Sequence, residues 1–501
     1  MQATSLNTQS LSLSRTQATP TPAMARQHFL VVAYPGQGHI NPARALAARL
    51  ARATGAHVTL SVAVSAHRRM FPSLAAPDEE VHDADAGGGG ISYVPYSDGY
   101  DEGFRLFASD GEAAWRHSET FGRVGREAFA GVVDRLAARG RPATCVVYAF
   151  LMWWAADVAR ERGIPRVLYW IQPATMLAVY YHYLHGLEEL VTEHAGEPEF
   201  TVDMPSLPPM AIRDLPSFFT DLADTRLAAA FHGVRTTIEQ LDIDRRSSSK
   251  PPMVLVNTVE ELELDVLAAS FPDLDILPIG PAATSLDGGG AAAAARASHD
   301  LYRHDEKGYM EWLDAKPAGS VVYVSFGSMS VVSRRQKEEL RRGLAATARP
   351  YLWVVRSDDR DDGDGDGDGG GMVVEWCDQV RVLSHGAVGC FVTHCGWNST
   401  LEAVACGAPM VAVPQWSDQD TNARLVAGWG VGVRAATGAD RVVEAGELAR
   451  CVETVMADTE AAAAVRRSSV AWKAKVREAV AEGGSSDRNL KAFLDRIANV
   501  A

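Results

Sequence analysis

Between Trp376 and Gln419 the chain reads WCDQVRVLSHGAVGCFVTHCGWNSTLEAVACGAPMVAVPQWSDQ, a stretch dense in groups that could hold a phosphorylated nucleoside. Gly389 to Thr393 reads as a strand, His394-Cys395-Gly396-Trp397-Asn398-Ser399 as a polar turn, and Thr400 onward as a helix. Main-chain N–H groups at that helix N-terminus, with the imidazole, amide and hydroxyl donors of the turn, make an anion site suited to a diphosphate. Glu402, one turn into the helix, can accept hydrogen bonds from a ribose diol. Trp376 offers a flat face to a base, and Gln379 an amide able to pair with its edge. Asp418-Gln419, after the next apolar run, supply the acceptors and donors that sugar hydroxyls need. Cap or core duty is the plainer role for each of these residues taken singly.

The elements that must position this stretch repeat a strand–helix rhythm. His28 to Tyr34 is an apolar run, Pro35-Gly36-Gln37-Gly38-His39 a glycine turn, and Ala43 to Ala53 a helix with Leu46 and Leu50 on one face. Further strands are predicted at Val58–Val64, Thr144–Tyr148, Val167–Ile171 and Val254–Asn257, which makes residues 28–280 one doubly wound parallel domain. Pro281 to Ala297 carries three glycines and five consecutive alanines and reads as a linker. Strands restart at Val321–Phe326, Tyr351–Val355, Val388–Thr393 and Met410–Pro414, giving a second α/β unit. Ligands of such sheets bind beyond the carboxyl ends of the strands, so two of them should face a common cleft.

Composition narrows the classes. The 501 residues are 47% hydrophobic and 22% charged, which fits a folded globular chain rather than a disordered or fibrous one. A net charge of −15 repels a nucleic-acid backbone. Much of it sits in Ser357–Gly371, read as a solvated acidic loop, so it says little about the cleft. No apolar run approaches the ~18 residues of a membrane span, and six cysteines without a CxxC pair suggest reduced thiols in a cytosol. Residues 1–26 lack any acidic residue and have the composition of a transit peptide; the alternatives are a disordered leader or a start at Met24.

Three further motifs carry weaker signals. Gly36-x-Gly38 lacks the third glycine, and the second strand ends without an acidic residue, so a nicotinamide site is not expected. Asp364 to Glu375 meets the spacing of a calcium loop and contains DxD triplets, but Gly371 stands where the apolar anchor belongs, so no metal site is expected. Trp153-Trp154 and Tyr180, Tyr181 and Tyr183 could shape an apolar pocket, although core positions are the commoner fate of such residues.

With these residues in view, the sequence resembles the plant family 1 UDP-glycosyltransferases. The resemblance runs from His28 almost to the end and includes PGQGHINP at 35–42, LVNTVEELE at 255–263, LPIGP at 277–281, VVYVSFGS at 321–328 and the 376–419 stretch. YSDGYDEGF at 96–104, WIQPAT at 170–175 and PQWSDQDTNARL at 414–425 look most like the subgroup that makes auxin, abscisate and crocetin glucose esters and anthocyanin 5-O-glucosides. The resemblance implies a GT-B fold of two Rossmann-like doubly wound domains facing a central cleft. It assigns 27–280 to the acceptor, 306–484 to the UDP-sugar, 281–305 to the linker between them, and 485–501 to a helix returning to the first domain. It implies Trp376 on uracil with Gln379, Glu402 on the ribose, and Ser328, His394, Trp397, Asn398 and Ser399 on the diphosphate, with Asp418 and Gln419 on the sugar. Glutamine as the last of these is the choice associated with UDP-glucose. The implied donor substrate is therefore UDP-glucose, with no cofactor and no metal, acting on a small lipophilic acceptor in a cytoplasmic monomer.

His39 matches the family's general base. An imidazole of ordinary pKa, about 6.5, can take the acceptor's proton as its oxygen attacks the anomeric carbon, inverting it to a β-glucoside or β-glucose ester. Capping the following helix is its plainer role. Relatives orient that histidine with an aspartate, and here Ala149 stands in its place. A carboxylic acid is already ionised at neutral pH and needs no base, so Ala149 should tilt the enzyme toward acidic acceptors; Asp98 or Asp101 folding back would restore the pair. A sugar-nucleotide-binding protein without catalysis is the alternative, and retention of His39 with the whole donor stretch speaks against it.

Overall fold

A computed structural model describes residues 27–499 apart from 77, 84–89, 222, 283–299, 303–304, 306–307, 361–369 and 439. The leader 1–26, most of the expected linker and most of the acidic loop with its calcium-like spacing therefore lie outside the described residues.

Apolar, β-branched runs build two sheets. The first contains β1 (His28–Val32), β2 (His57–Ser61), β3 (Val81–Asp83), β4 (Ile91–Tyr93), β5 (Cys145–Ala149), β6 (Arg166–Trp170), β9 (Met253–Val256) and β10 (Asp275–Pro278). Its order is β10-β9-β6-β5-β1-β2-β4-β3, parallel throughout except for the edge pair β3 and β4. A separate two-stranded ribbon pairs β7 (Thr201–Val202) with β8 (Met210–Ala211). The second sheet is β11 (Val321–Ser325), β12 (Tyr351–Val354), β13 (Met372–Val374), β14 (Val388–Thr393), β15 (Met410–Ala412) and β16 (Gly432–Arg434), in the order β13-β12-β11-β14-β15-β16, all parallel.

Both faces of each sheet are covered, which is why the central strands read as unbroken apolar runs. In β11 the side-chain alternation sends Val321 and Tyr323 into one core and Val322 and Val324 into another. The final helix, Ser485–Ala498, buries Leu490, Phe493, Leu494 and Ile497 at helical spacing against the first domain. There Phe493 meets Phe29 and Asn489 donates to the Pro278 carbonyl at 2.9 Å. Among the described residues no helix is long and apolar enough to cross a membrane, and all six cysteines are buried and unpaired.

The strand order reverses at β1 in one sheet and at β11/β14 in the other, and the two switch points face each other. One expectation fails at the first of them. The helix does not wait until Ala43 but runs from Gln37 to Thr54, so His39 sits in its first turn and not in a loop. The proline inside it, Pro42, has a helix-compatible φ and deletes only the bond its N–H would make to Gly38. The expected strands are all present, with ends displaced by up to three residues.

Candidate functional site

A cavity of about 320 Å³ lies between the sheets, lined from both domains and including His39, Ser328, Trp376, Gln379, His394, Asn398, Glu402, Asp418 and Gln419. Cys395 takes a positive φ of 62°, which turns the chain out of β14 into the helix Trp397–Cys406. No side chain caps that helix, so its first N–H groups are open to the cleft. The His394 ring is wedged between two glycines: a Cβ on Gly396 would lie 2.5 Å from Nε2, and one on Gly327, 2.6 Å. Burial lowers the His394 pKa to about 4, with the Arg356 cation adding to the effect. This imidazole is therefore neutral, and it can offer a diphosphate a hydrogen bond rather than a charge.

Arg356 itself holds the loop after β11, donating to the carbonyls of Gly327 at 2.7 Å and Ser330 at 2.9 Å, with Ser328 between them. Gln379 donates from Nε2 to Glu402 at 2.7 Å and to Ser399 Oγ at 3.0 Å, and accepts from Tyr323 at 3.2 Å. Both amide hydrogens are thereby engaged, so Gln379 orients Glu402 and Ser399 instead of presenting a free amide edge to a base. Trp397 also departs from the expectation. Its indole donates to the Asn257 carbonyl at 2.6 Å and packs near Trp429 in the core, which leaves its main-chain N–H as its means of meeting a phosphate.

Asp418 is buried, accepts from Asn422 at 2.8 Å, and has its pKa raised by desolvation to about 6. Gln419 turns its amide oxygen to the N–H groups of Gln415 at 2.8 Å and Trp416 at 3.2 Å, so only its NH2 end can serve a ligand in the cavity. The strained backbone of Ser417, φ 62°, is clasped from the other domain. Its N–H donates to Ser217 Oγ at 2.7 Å and its carbonyl accepts from Ser217 N at 3.1 Å.

His39 lies between Tyr34, 5.1 Å away, and Phe150, whose ring stacks at 6.2 Å. Its Nδ1 is buried with no side chain bonded to it, and desolvation pushes its pKa down to about 4 against a smaller opposing pull from the Phe150 main chain. Ala149, fully buried at the end of β5, brings no polar side chain. Asp98 accepts from Tyr100 N and Asp101 from Ser97 Oγ; among the described residues no carboxylate is hydrogen-bonded to His39. The aspartate's place is thus not refilled.

Beyond His39 the cavity becomes apolar, walled by Phe104, Phe121, Phe150, Trp153, Phe218 and Trp416. Of Trp153, Trp154, Tyr180, Tyr181 and Tyr183, only Trp153 reaches it; Trp154, Tyr180 and Tyr183 are core. Two polar groups in this half escaped sequence reasoning. His117 stacks on Phe104 at 4.0 Å, its pKa lowered by burial to about 4, and Gln172 keeps a buried, unpartnered amide oxygen. Gln172 follows β6, where the strand-end rule could have found it; His117 lies mid-helix, where no local signal marks it.

The domains are bolted together beside the cleft. Asp214 binds Arg434 at 2.8 Å and Arg424 at 3.0 Å, and Arg434 also reaches Asp420 at 2.5 Å.

Two facing Rossmann-like domains with an anion cradle at the switch point define the GT-B architecture of nucleotide-sugar transferases. Residues 298–475 match the family model for UDP-glucoronosyl and UDP-glucosyl transferases. The chain is 41% identical to a chloroplastic crocetin glucosyltransferase of Gardenia jasminoides, over 94% of this chain and 97% of the relative. It is 40% identical to anthocyanidin 3-O-glucoside 5-O-glucosyltransferase 1 of Perilla frutescens, over 95% of this chain and 100% of that one. Os79 of O. sativa, solved with UDP, superposes with a TM-score of 0.77 at 29% identity, covering 94% of this chain and 100% of that chain. The chain belongs to the plant family 1 UDP-glycosyltransferases, and it is a glycosyltransferase.

Proposed function

We propose that the enzyme transfers glucose from UDP-glucose, with inversion, to a carboxyl or hydroxyl group of a small lipophilic plant metabolite such as a hormone acid, a phenolic or a flavonoid. The observation that carries this reading is that His39 and the anion cradle open into one cavity whose far half is aromatic. UDP, as leaving group, would be stabilised by the uncapped N-terminus of Trp397–Cys406 and the donors beside it, which supports a reaction that needs no metal ion. Activity undiminished by excess EDTA is the expected result. Trp376, Glu402, Ser328, Asn398 and Ser399 hold the nucleotide and diphosphate, and Asp418 and Gln419 the sugar.

His39, neutral across the physiological range, accepts the proton of a hydroxyl acceptor; an ionised carboxylate attacks without it. With no carboxylate behind the imidazole, acidic acceptors gain relative to alcohols, and glucose esters or glucosides of acidic phenols become the favoured products. The relatives named for crocetin and for an anthocyanidin glucoside support a small plant metabolite as the acceptor met by these aromatic walls. Incubation with UDP-glucose and a mixed panel of acids, phenols and alcohols, read by mass spectrometry, tests the proposal. UDP binding with no glucosylated product from any acceptor would favour the non-catalytic alternative. Six unpaired cysteines support a cytoplasmic site of action, and imaging of the tagged full-length chain tests it against the plastid named for the Gardenia relative.

A further inference from the structure

The segment Asp300–Tyr302, assigned by sequence to the interdomain linker, is built into the cleft. Leu301 N donates to Gln37 Oε1 at 2.6 Å, and Gln37 Nε2 donates to Asp300 Oδ1 at 2.7 Å. Arg69 donates to the Leu301 carbonyl at 2.9 Å. Three contacts then join this strap to the second domain. The Trp376 indole N–H donates to Asp300 Oδ2 at 3.4 Å, the Tyr302 hydroxyl donates to the Ser328 carbonyl at 2.9 Å, and the Tyr302 ring stacks on Trp376 at 4.6 Å with 26° between planes. Behind Tyr302, the Arg69 guanidinium stands 4.8 Å from the ring centroid.

Trp376 and Asp300 line the cavity, whereas Tyr302 does not. Tyr302 therefore backs the indole face turned away from the cavity. Building on the donor reading above, we propose that Tyr302 is a positioning residue for the nucleotide base: Arg69, Tyr302 and Trp376 form a three-layer stack whose remaining open face receives the uracil. A lone exposed indole would have to be fixed in place when the base arrives, and the strap fixes it beforehand. The guanidinium behind the stack polarises both rings, and the hydroxyl ties the base platform to the Ser328 loop. The first domain, through Gln37 and Arg69, thus helps to build a donor site otherwise made by the second.

The test is calorimetric titration of the full chain and its variants with two probes, UDP and inorganic pyrophosphate, which lacks the base. Y302A is expected to bind UDP about threefold to tenfold more weakly, while its pyrophosphate affinity stays within about twofold. Y302F, which keeps the ring and loses the bond to Ser328, is expected to rescue most of the loss. Y302L, which keeps volume without aromaticity, should behave as Y302A does and replaces it should the alanine variant fold poorly. Unchanged or tighter UDP binding by Y302A and Y302L overturns the stack, as does an equal loss for UDP and pyrophosphate. Wild-type chain that binds no UDP would instead overturn the donor reading, and this inference with it.

Discussion

Asn398 in the second domain donates from Nδ2 to the main-chain carbonyl of Gly38 in the first, 360 positions away, at 2.6 Å. That carbonyl is open because Pro42, four residues on, has no N–H to give it. The proline thus leaves an acceptor at the first turn of the helix that carries His39, and the anion cradle fills it. Asn257 reinforces the link from the side, its Nδ2 lying 3.3 Å from Asn398 Oδ1. Removing either end should disturb the alignment of His39 with the anion cradle. N398A is expected to lower kcat about tenfold or more and to reduce Tm slightly, since the part-buried Gly38 carbonyl loses its partner at a cost of about 1 kcal/mol. P42A restores an in-helix donor that competes for Gly38, so kcat should fall by about twofold to fivefold without loss of Tm. Steady-state kinetics alongside melting curves check both.

His39 and Ala149 together predict an acceptor-dependent phenotype. H39A should lose about 100-fold or more in kcat with a phenol, the usual scale of general-base catalysis, yet less than about tenfold with a carboxylic acid. A149D, placing a carboxyl at the end of β5, should raise the phenol-to-acid rate ratio. Equal losses with both acceptor classes in H39A would sink the idea of relaxed base dependence.

Buried histidines set the response to acid. Desolvation lowers the pKa of His28, His39, His117 and His394 to about 4 in the folded chain. Unfolded, they protonate near their ordinary value of about 6.5. Between these limits the unfolded chain binds more protons, so stability rises with pH through that window and levels off above it. Asp418, raised to about 6, works the other way over the range from about 4 to 6 and offsets part of the effect. Tm is expected to drop by roughly 5–10 °C from pH 7 to pH 5, followed by calorimetry. A flat or rising Tm toward acid would contradict the burial of these rings.

Asp214 anchors two arginines across the domain boundary while itself only 10% exposed. D214A leaves both cations facing a vacated site and should destabilise the chain by about 2–4 kcal/mol in denaturant unfolding. Because Ser217, three residues on, clasps the Ser417 backbone next to Asp418, KM for UDP-glucose should rise as well. D214N, which keeps shape without charge, should fall between the two.

The sequence by itself determined the fold class and which contiguous residues form the second domain's wall of the cavity. Trp376 to Gln419 is contiguous, and a strand, a turn and a helix N-terminus place its donors by local geometry alone. Ala149 was legible through the family resemblance, which matches it to the aspartate's place by way of Ala155-Ala156-Asp157. Only the tertiary structure decided what those side chains face. It turned the Trp397 indole into the core, gave Gln379 to Glu402, and showed that neither Asp98 nor Asp101 reaches His39. It also gathered His117, Trp153, Gln172, Phe218 and Trp416 around one half of the cavity, and brought Tyr302 against Trp376. The physical reason is separation along the chain. Local spacing encodes which groups share a turn, whereas contacts between a β5 loop, a mid-helix face and a strap from the linker exist only once two independently folded sheets have docked.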